Sequence, residues 1–265
     1  MVRIGAASLA VPALLASFLA LCGQRAALAD EVVADLSEHL IAITTGFTGT
    51  EVTLFGAVDA PGDVAVVVRG PSEATTVRLK ERVAGIWINT RSVTFEQVPG
   101  FYSVAVNRPV DDIAPATVLA RHAIGLEHLI FGLSGEVPPM VTEDGRQLSE
   151  DETEALFRAA LIRNMQRNEL YVPEEQTVSF LGDSLFRARV VFPSSVPTGQ
   201  YTVSVYLIRE GEIVSAQTTP LVVSKIGFGA AVFDFANRYP PFYGLAAIAI
   251  AVFAGWLASV AFRRR

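Results

Sequence analysis

The sequence predicts a mainly β protein: one or two immunoglobulin-like β-sandwich lobes with a helical insertion, followed by a transmembrane helix at the C-terminus. Three observations carry that expectation. Short stretches of alternating apolar and polar residues, broken by Gly and Pro turns, fill residues 30–112 and return in 171–225. Between them, residues 113–170 switch to a helical period. Residues 242–262 carry no charged side chain and are followed at once by Arg263, Arg264 and Arg265.

Taken in order, residues 1–29 read as a secretory signal peptide. Arg3 supplies a positive start, residues 4–21 an apolar stretch, and Ala27-Leu28-Ala29 a small-residue site that places cleavage between Ala29 and Asp30. The apolar stretch is long for a signal, so an uncleaved first span is the competing reading. Leu21 is too bulky before Cys22 for a lipid-modified cysteine. Cys22 is the single cysteine of the chain, and its removal would leave no disulfide and no thiolate nucleophile.

In the first lobe, 30–112, strands are expected at 39–44, 50–58, 64–68, 77–83, 86–89, 93–97 and 102–106. The unbroken apolar run 64–68 suits a strand buried on both faces. Arg78, Lys80 and Arg82 are spaced two apart, so they share one strand face. Such a face is either simply solvated, discouraging edge-to-edge pairing, or an anion-attracting stripe. Trp87, between Ile86 and Ile88, is expected to plug the core, the alternative being an exposed aromatic on a binding face. Arg78, Lys80, Arg82 and Trp87 are therefore the candidate ligand-binding residues.

Gly70-Pro71, Lys80-Glu81-Arg82, Gly85-Ile86-Trp87-Ile88-Asn89, Phe95, Pro99-Gly100-Phe101-Tyr102 and Arg108-Pro109 resemble the pattern of an alphaproteobacterial transmembrane family, Alph_Pro_TM. The resemblance runs from about residue 30 through the C-terminal span and is most specific between Lys80 and Asn89. Gly100 stands where a small polar residue belongs in that pattern, and both types suit a turn. The resemblance carries over no activity. It implies a membrane partner, since such proteins look like companions of sulfite-exporter-like permeases.

In the middle segment, 113–170, one helix is expected over 115–129, weakened by Gly125. A loop follows over 132–147. A second helix is expected over 149–168, opened by a capping box of Ser149 and Glu152. Strands resume at 177–181, 185–192, 200–209 and 212–223, the last two joined by a tight turn at Glu210-Gly211. Pro197-Thr198-Gly199 leads into 201–205 much as Pro99-Gly100 leads into 101–105, an echo that suggests two related lobes.

The juxtamembrane segment 226–241 brings Phe228, Val232, Phe233 and Phe235 to the bilayer surface. The 21 residues of 242–262 make a helix of about 30 Å, enough to cross the hydrocarbon core. The arginines 263–265 are expected to stay in the cytoplasm, leaving the rest in the periplasm of a bacterial inner membrane. Ala247, Ala251, Gly255 and Ser259 recur every four residues and form a small-residue stripe suited to packing against another helix.

No catalytic constellation stands out. His122 and His128 are six apart, about 120° around a helix, and His39 lies far away in sequence, so no metal site and no cofactor are expected. Gly132-Leu133-Ser134-Gly135 has the wrong spacing for a nucleophile elbow. Gly227-Phe228-Gly229 lacks the third glycine of a dinucleotide fingerprint. With 18% charged residues and a net charge of -6, nucleic acid is not an expected partner. The expectation is a non-enzymatic accessory or assembly partner of a membrane complex or permease, or a homo-oligomer. The alternative is a membrane-tethered small-anion or sugar binding module, with an envelope enzyme third.

Overall fold

The computed structural model describes residues 31–141 and 144–263. The expected signal peptide, its cleavage pair Ala29 and Asp30, and Arg264 and Arg265 lie outside the described residues.

Nine strands form one curled sheet. In chain order they are β1 (Val32–Leu36), β2 (Leu40–Ile43), β3 (Gly49–Val58), β4 (Asp63–Arg69), β7 (Tyr102–Val106), β9 (Gln176–Leu181), β10 (Leu185–Pro193), β11 (Gly199–Arg209) and β12 (Glu212–Lys225). Their spatial order is β1-β3-β10-β9-β7-β4-β11-β12-β2. The remaining three, β5 (Ser72–Val83), β6 (Ile86–Pro99) and β8 (Gly132–Ser134), form a smaller sheet in the order β5-β6-β8. Strands from 30–112 and from 171–225 thus alternate within one sheet: β3 pairs with β10, and β4 lies between β7 and β11. The two Pro-Gly approaches that echo each other in sequence meet in space. A Cβ on Gly100 would lie 3.2 Å from Pro197, and one on Gly199 would lie 2.9 Å from Pro71.

Period-two alternation sorts the side chains into two cores. On β4, Val64, Val66 and Val68 enter an inner cluster with Leu54, Phe186 and Leu207. Phe101 stacks on Phe192 there at 5.0 Å, and Tyr201 meets Phe192 edge-on. Ala65 and Val67 face the other way, into a second cluster under the smaller sheet and the helices. All five residues 64–68 are buried, as expected of a strand covered on both sides.

The sheet curls until β1 faces β12, and side chains complete the junction. Gln217 accepts the Ala34 N–H at 2.7 Å and donates from Nε2 to the Ala34 carbonyl at 2.9 Å. Ser215 Oγ accepts the Val32 N–H at 3.2 Å. The outer edge of β1 is thereby satisfied without a further strand.

The helices cover the second cluster: α1 (Val110–Ile113), α2 (Ala116–His122), a 3-10 turn at Leu126–His128, and α3 (Glu150–Arg167). The single helix expected over 115–129 breaks after His122, where Ala123 adopts φ 48°. Arg69 donates to the carbonyls of His122 and Ala123. The Tyr102 hydroxyl donates to the Ala123 carbonyl at 2.7 Å and accepts the Gly125 N–H at 2.9 Å. Partners from β4 and β7 therefore take the groups that a continued helix would use internally.

Helix α3 opens with the expected capping box. Ser149 Oγ accepts the Glu152 N–H at 3.2 Å, and Glu152 accepts the Ser149 N–H at 2.9 Å. Residues 132–134, expected as loop, add a third strand beside β6 because Phe131 seats against Phe95 with ring centres 6.0 Å apart.

Past Lys225, α4 (Phe228–Arg238) and α5 (Pro240–Phe262) follow, meeting at Tyr239. Helix α5 begins two residues earlier than the expected span, with proline in its first turn, where a missing N–H costs little. It is 23 residues long, an 18-residue window within it has mean hydropathy 2.3, and none of it is buried among the described residues. Among the described residues it is the one helix long and apolar enough to cross a membrane.

Candidate functional site

The four candidate ligand-binding residues lie on one hairpin, β5–β6. Its root belongs to the second core: Val77 on β5 and Val93, Phe95 and Val98 on β6 are buried. Beyond Val77 the two strands run on as a ribbon with no buried residue between Arg78 and Ser92. The stretches 86–89 and 93–97, expected as separate strands, are one strand. Its break in pattern is a bulge, since Leu79 pairs with Arg91 but Lys80 with Asn89, leaving Thr90 unopposed. The ribbon turns at Ala84 and Gly85, both with positive φ (51° and 87°), the geometry of a type I′ turn. A Cβ on Gly85 would meet nothing within 4 Å, so glycine serves the backbone angle there rather than space.

Trp87 corrects its expected place. It is 68% exposed and fills no core, and Ile86 beside it is 65% exposed. Val83 and Ile88 complete an apolar group at the turn end. The reason is geometric: among the described residues this part of the ribbon has no second layer over either face, whereas the root packs with residues of β4 and β7. Arg82 pairs directly with Trp87 and Lys80 with Asn89, and opposite residues in an antiparallel ladder share a face. Arg78, Lys80 and Arg82 are all exposed, so the hairpin unites the cation row with the tryptophan.

Arg78 and Lys80 have no acidic partner among the described residues, and Arg82 Nε donates to the Gly85 carbonyl at 3.3 Å. Glu81, on the opposite face, is bridged by Arg91 at 2.8 Å. Four cations and one carboxylate between residues 78 and 91 give this segment a charge of +3, in a chain whose net charge is -6.

On α5, Ala247, Ala251, Gly255 and Ser259 are all exposed, and a Cβ on Gly255 would meet nothing within 4 Å. The small-residue face therefore packs against no other described part of the chain. Two of the histidines make ordinary contacts: His39 lies 3.0 Å from Asp35, and His122 meets Tyr206 edge-on at 5.4 Å. Among the described residues no three His, Cys, Asp or Glu side chains gather as metal ligands would.

One hollow escaped the sequence reading. A cavity of about 370 Å³ is lined by Tyr102, Asp111, Glu127, His128, Glu174 and Glu175, among others. Burial pushes the Tyr102 phenol well above its ordinary value, and its hydroxyl is already committed to Ala123 and Gly125. The Glu175 carboxylate accepts the Val110 N–H at 3.3 Å, at the start of α1. These groups come from separate elements and have no common spacing that a sequence would reveal. Their hydrogen bonds hold the α2 break and α1 in place.

A family model described as "Putative transmembrane protein (Alph_Pro_TM)" matches residues 31–264. No curated protein matches the sequence. The chain belongs to the Alph_Pro_TM family.

Proposed function

We propose that this member of the Alph_Pro_TM family is a non-enzymatic accessory or assembly subunit of a membrane complex. Helix α5 anchors it in the bacterial inner membrane, the β domain occupies the periplasm, and the C-terminal arginines remain in the cytoplasm. The partner is a membrane protein such as a permease, or a second copy of the chain. The observation that carries this reading is α5 itself, 23 residues with no side chain buried and its small-residue face open along Ala247, Ala251, Gly255 and Ser259. In lipid, a face of that kind gains contact only from another helix that approaches closely.

Tagged full-length protein, crosslinked in its native membrane and purified in mild detergent, tests it. A stoichiometric partner that is lost on Ala251→Leu and Gly255→Leu substitution is the expected result. A solitary monomer overturns the reading.

A second reading is favoured by the hairpin: a tethered module that binds a small anion or sugar through Arg78, Lys80, Arg82 and Trp87. Under it, replacing the three cations by serine abolishes ligand binding and leaves partner capture intact.

A further inference from the structure

We propose that the outer end of the β5–β6 hairpin is a second membrane contact of the protein. Val83, Ile86, Trp87 and Ile88 enter the headgroup layer of an anionic phospholipid bilayer, and Arg78, Lys80 and Arg82 hold its phosphates. The inference rests on the anchor reading of α5 and is separable from it by the experiment below.

Reach comes first. From Val77, the last buried residue of β5, to Ala84 at the turn there are seven residues, which span about 23 Å in a strand. Leu79 still packs partly on the second core beside Leu156 and Ala160 of α3, and the residues from Arg82 through the turn are exposed among the described residues. Composition follows. An aromatic ring with a polar N–H and three aliphatic side chains sits at the turn, and exposed cations lie behind it on the same ribbon. Indole rings favour the membrane interface, and long basic side chains keep their charged heads at the phosphate level while their stems run along apolar surface.

Charge selects the occupant. The segment 78–91 carries +3 within a chain of net charge -6, and its one carboxylate, Glu81, is neutralised by Arg91. An anionic lipid surface answers that charge and the apolar turn together, whereas a small soluble anion would leave Val83, Ile86 and Ile88 in water. Tethering supplies the rest. A chain already anchored in a bilayer meets lipid at high effective concentration, so a contact of four apolar side chains suffices.

The chain holds two tryptophans, Trp87 and Trp256. The full-length Trp256→Phe variant therefore reports Trp87 alone, and Trp87→Phe reports the span alone. Each is reconstituted into vesicles of phosphatidylethanolamine and phosphatidylglycerol, or of phosphatidylcholine, with and without brominated acyl chains. The expected result is a blue-shifted Trp87 emission in the phosphatidylglycerol vesicles, with quenching by shallow bromine and severalfold lower access to acrylamide. Arg78→Ser, Lys80→Ser and Arg82→Ser together remove the difference between the two lipid compositions.

If Trp256 is quenched by deep bromine while Trp87 stays open to acrylamide in both vesicles, the hairpin proposal falls and the anchor stands. If Trp256 is not quenched either, both fall. Protection of Trp87 by free phosphate in place of lipid, or only by a copurifying protein in native membranes, also overturns it.

Discussion

Phe95 and Trp87 stand eight residues apart on the same strand, β6, and meet opposite fates. Phe95 is fully buried, while Trp87 is 68% exposed. Local hydrophobicity points the wrong way: Ile86-Trp87-Ile88 is the more apolar triplet, and Thr94-Phe95-Glu96 alternates. What separates them is the number of layers. At Phe95 the ribbon is widened by β8, and Phe131 packs edge-on against the ring. At Trp87 the ribbon has only its own partner strand. A two-stranded ribbon cannot bury either face by itself, so the same kind of residue is core at one end and surface at the other.

That contrast can be broken by substitution. Phe95→Ala is expected to lower the stability of the full-length protein by about 3–5 kcal/mol, measured by urea unfolding in mild detergent. A loss below about 1 kcal/mol would mean the root is no more core than the turn. Tyr102→Phe comes next at about 1–3 kcal/mol, because it leaves the Gly125 N–H without its acceptor and the Ala123 carbonyl with Arg69 as its remaining donor. An unchanged midpoint would show that the α2 break is held by Arg69 alone.

Acid should act as well, through Asp63 at the start of β4. Burial raises the Asp63 carboxyl, but hydrogen bonds from Arg108 and Asn107 and the charge of Arg108 outweigh it and hold it below its ordinary value. A carboxylate depressed in the folded state stabilises fully above its ordinary value of about 3.9 and loses that contribution as pH falls through the folded value. Asp63→Asn should therefore flatten the decline of stability below about pH 4. An equally steep decline in the variant would assign it to other carboxylates. The smallest effect is expected at Trp87→Ala, within about 0.5 kcal/mol. A cost like that of Phe95→Ala would show that the turn is covered after all.

The bounds of most strands were legible because period-two alternation and turn residues are local. Gly and Pro frame 50–58, 64–68 and 102–106, and Glu210-Gly211, both with positive φ, joins β11 to β12 where a tight turn is expected. The cap at Ser149 was equally local. Pairing was not legible: alternation assigns faces, and nothing in residues 49–58 names 185–193 as their partner. β1 escaped because five residues beginning Val-Val carry little alternation. The end of α2 at His122 depends on Tyr102 and Arg69, which reach it from other strands. At the hairpin, the spacing of Arg78, Lys80 and Arg82 placed them on one face, but the exposure of Trp87 follows from a missing layer, which no stretch of sequence records.

The junction between β1 and β12 has a consequence for how the chain is made. Ala34 waits for Gln217, 183 positions later, before its N–H and carbonyl gain those partners. Synthesis proceeds from the N-terminus, so the first strand cannot be stitched until almost the whole β domain has been produced, just before the hydrophobic helix follows. Contacts of such separation are slow to form. Until then β1 has β3 on one side and an open edge on the other, a docking rail that a second unfinished chain could occupy. Gln217 therefore acts as a late latch, and the interval before it closes is when the nascent domain is most exposed to mispairing.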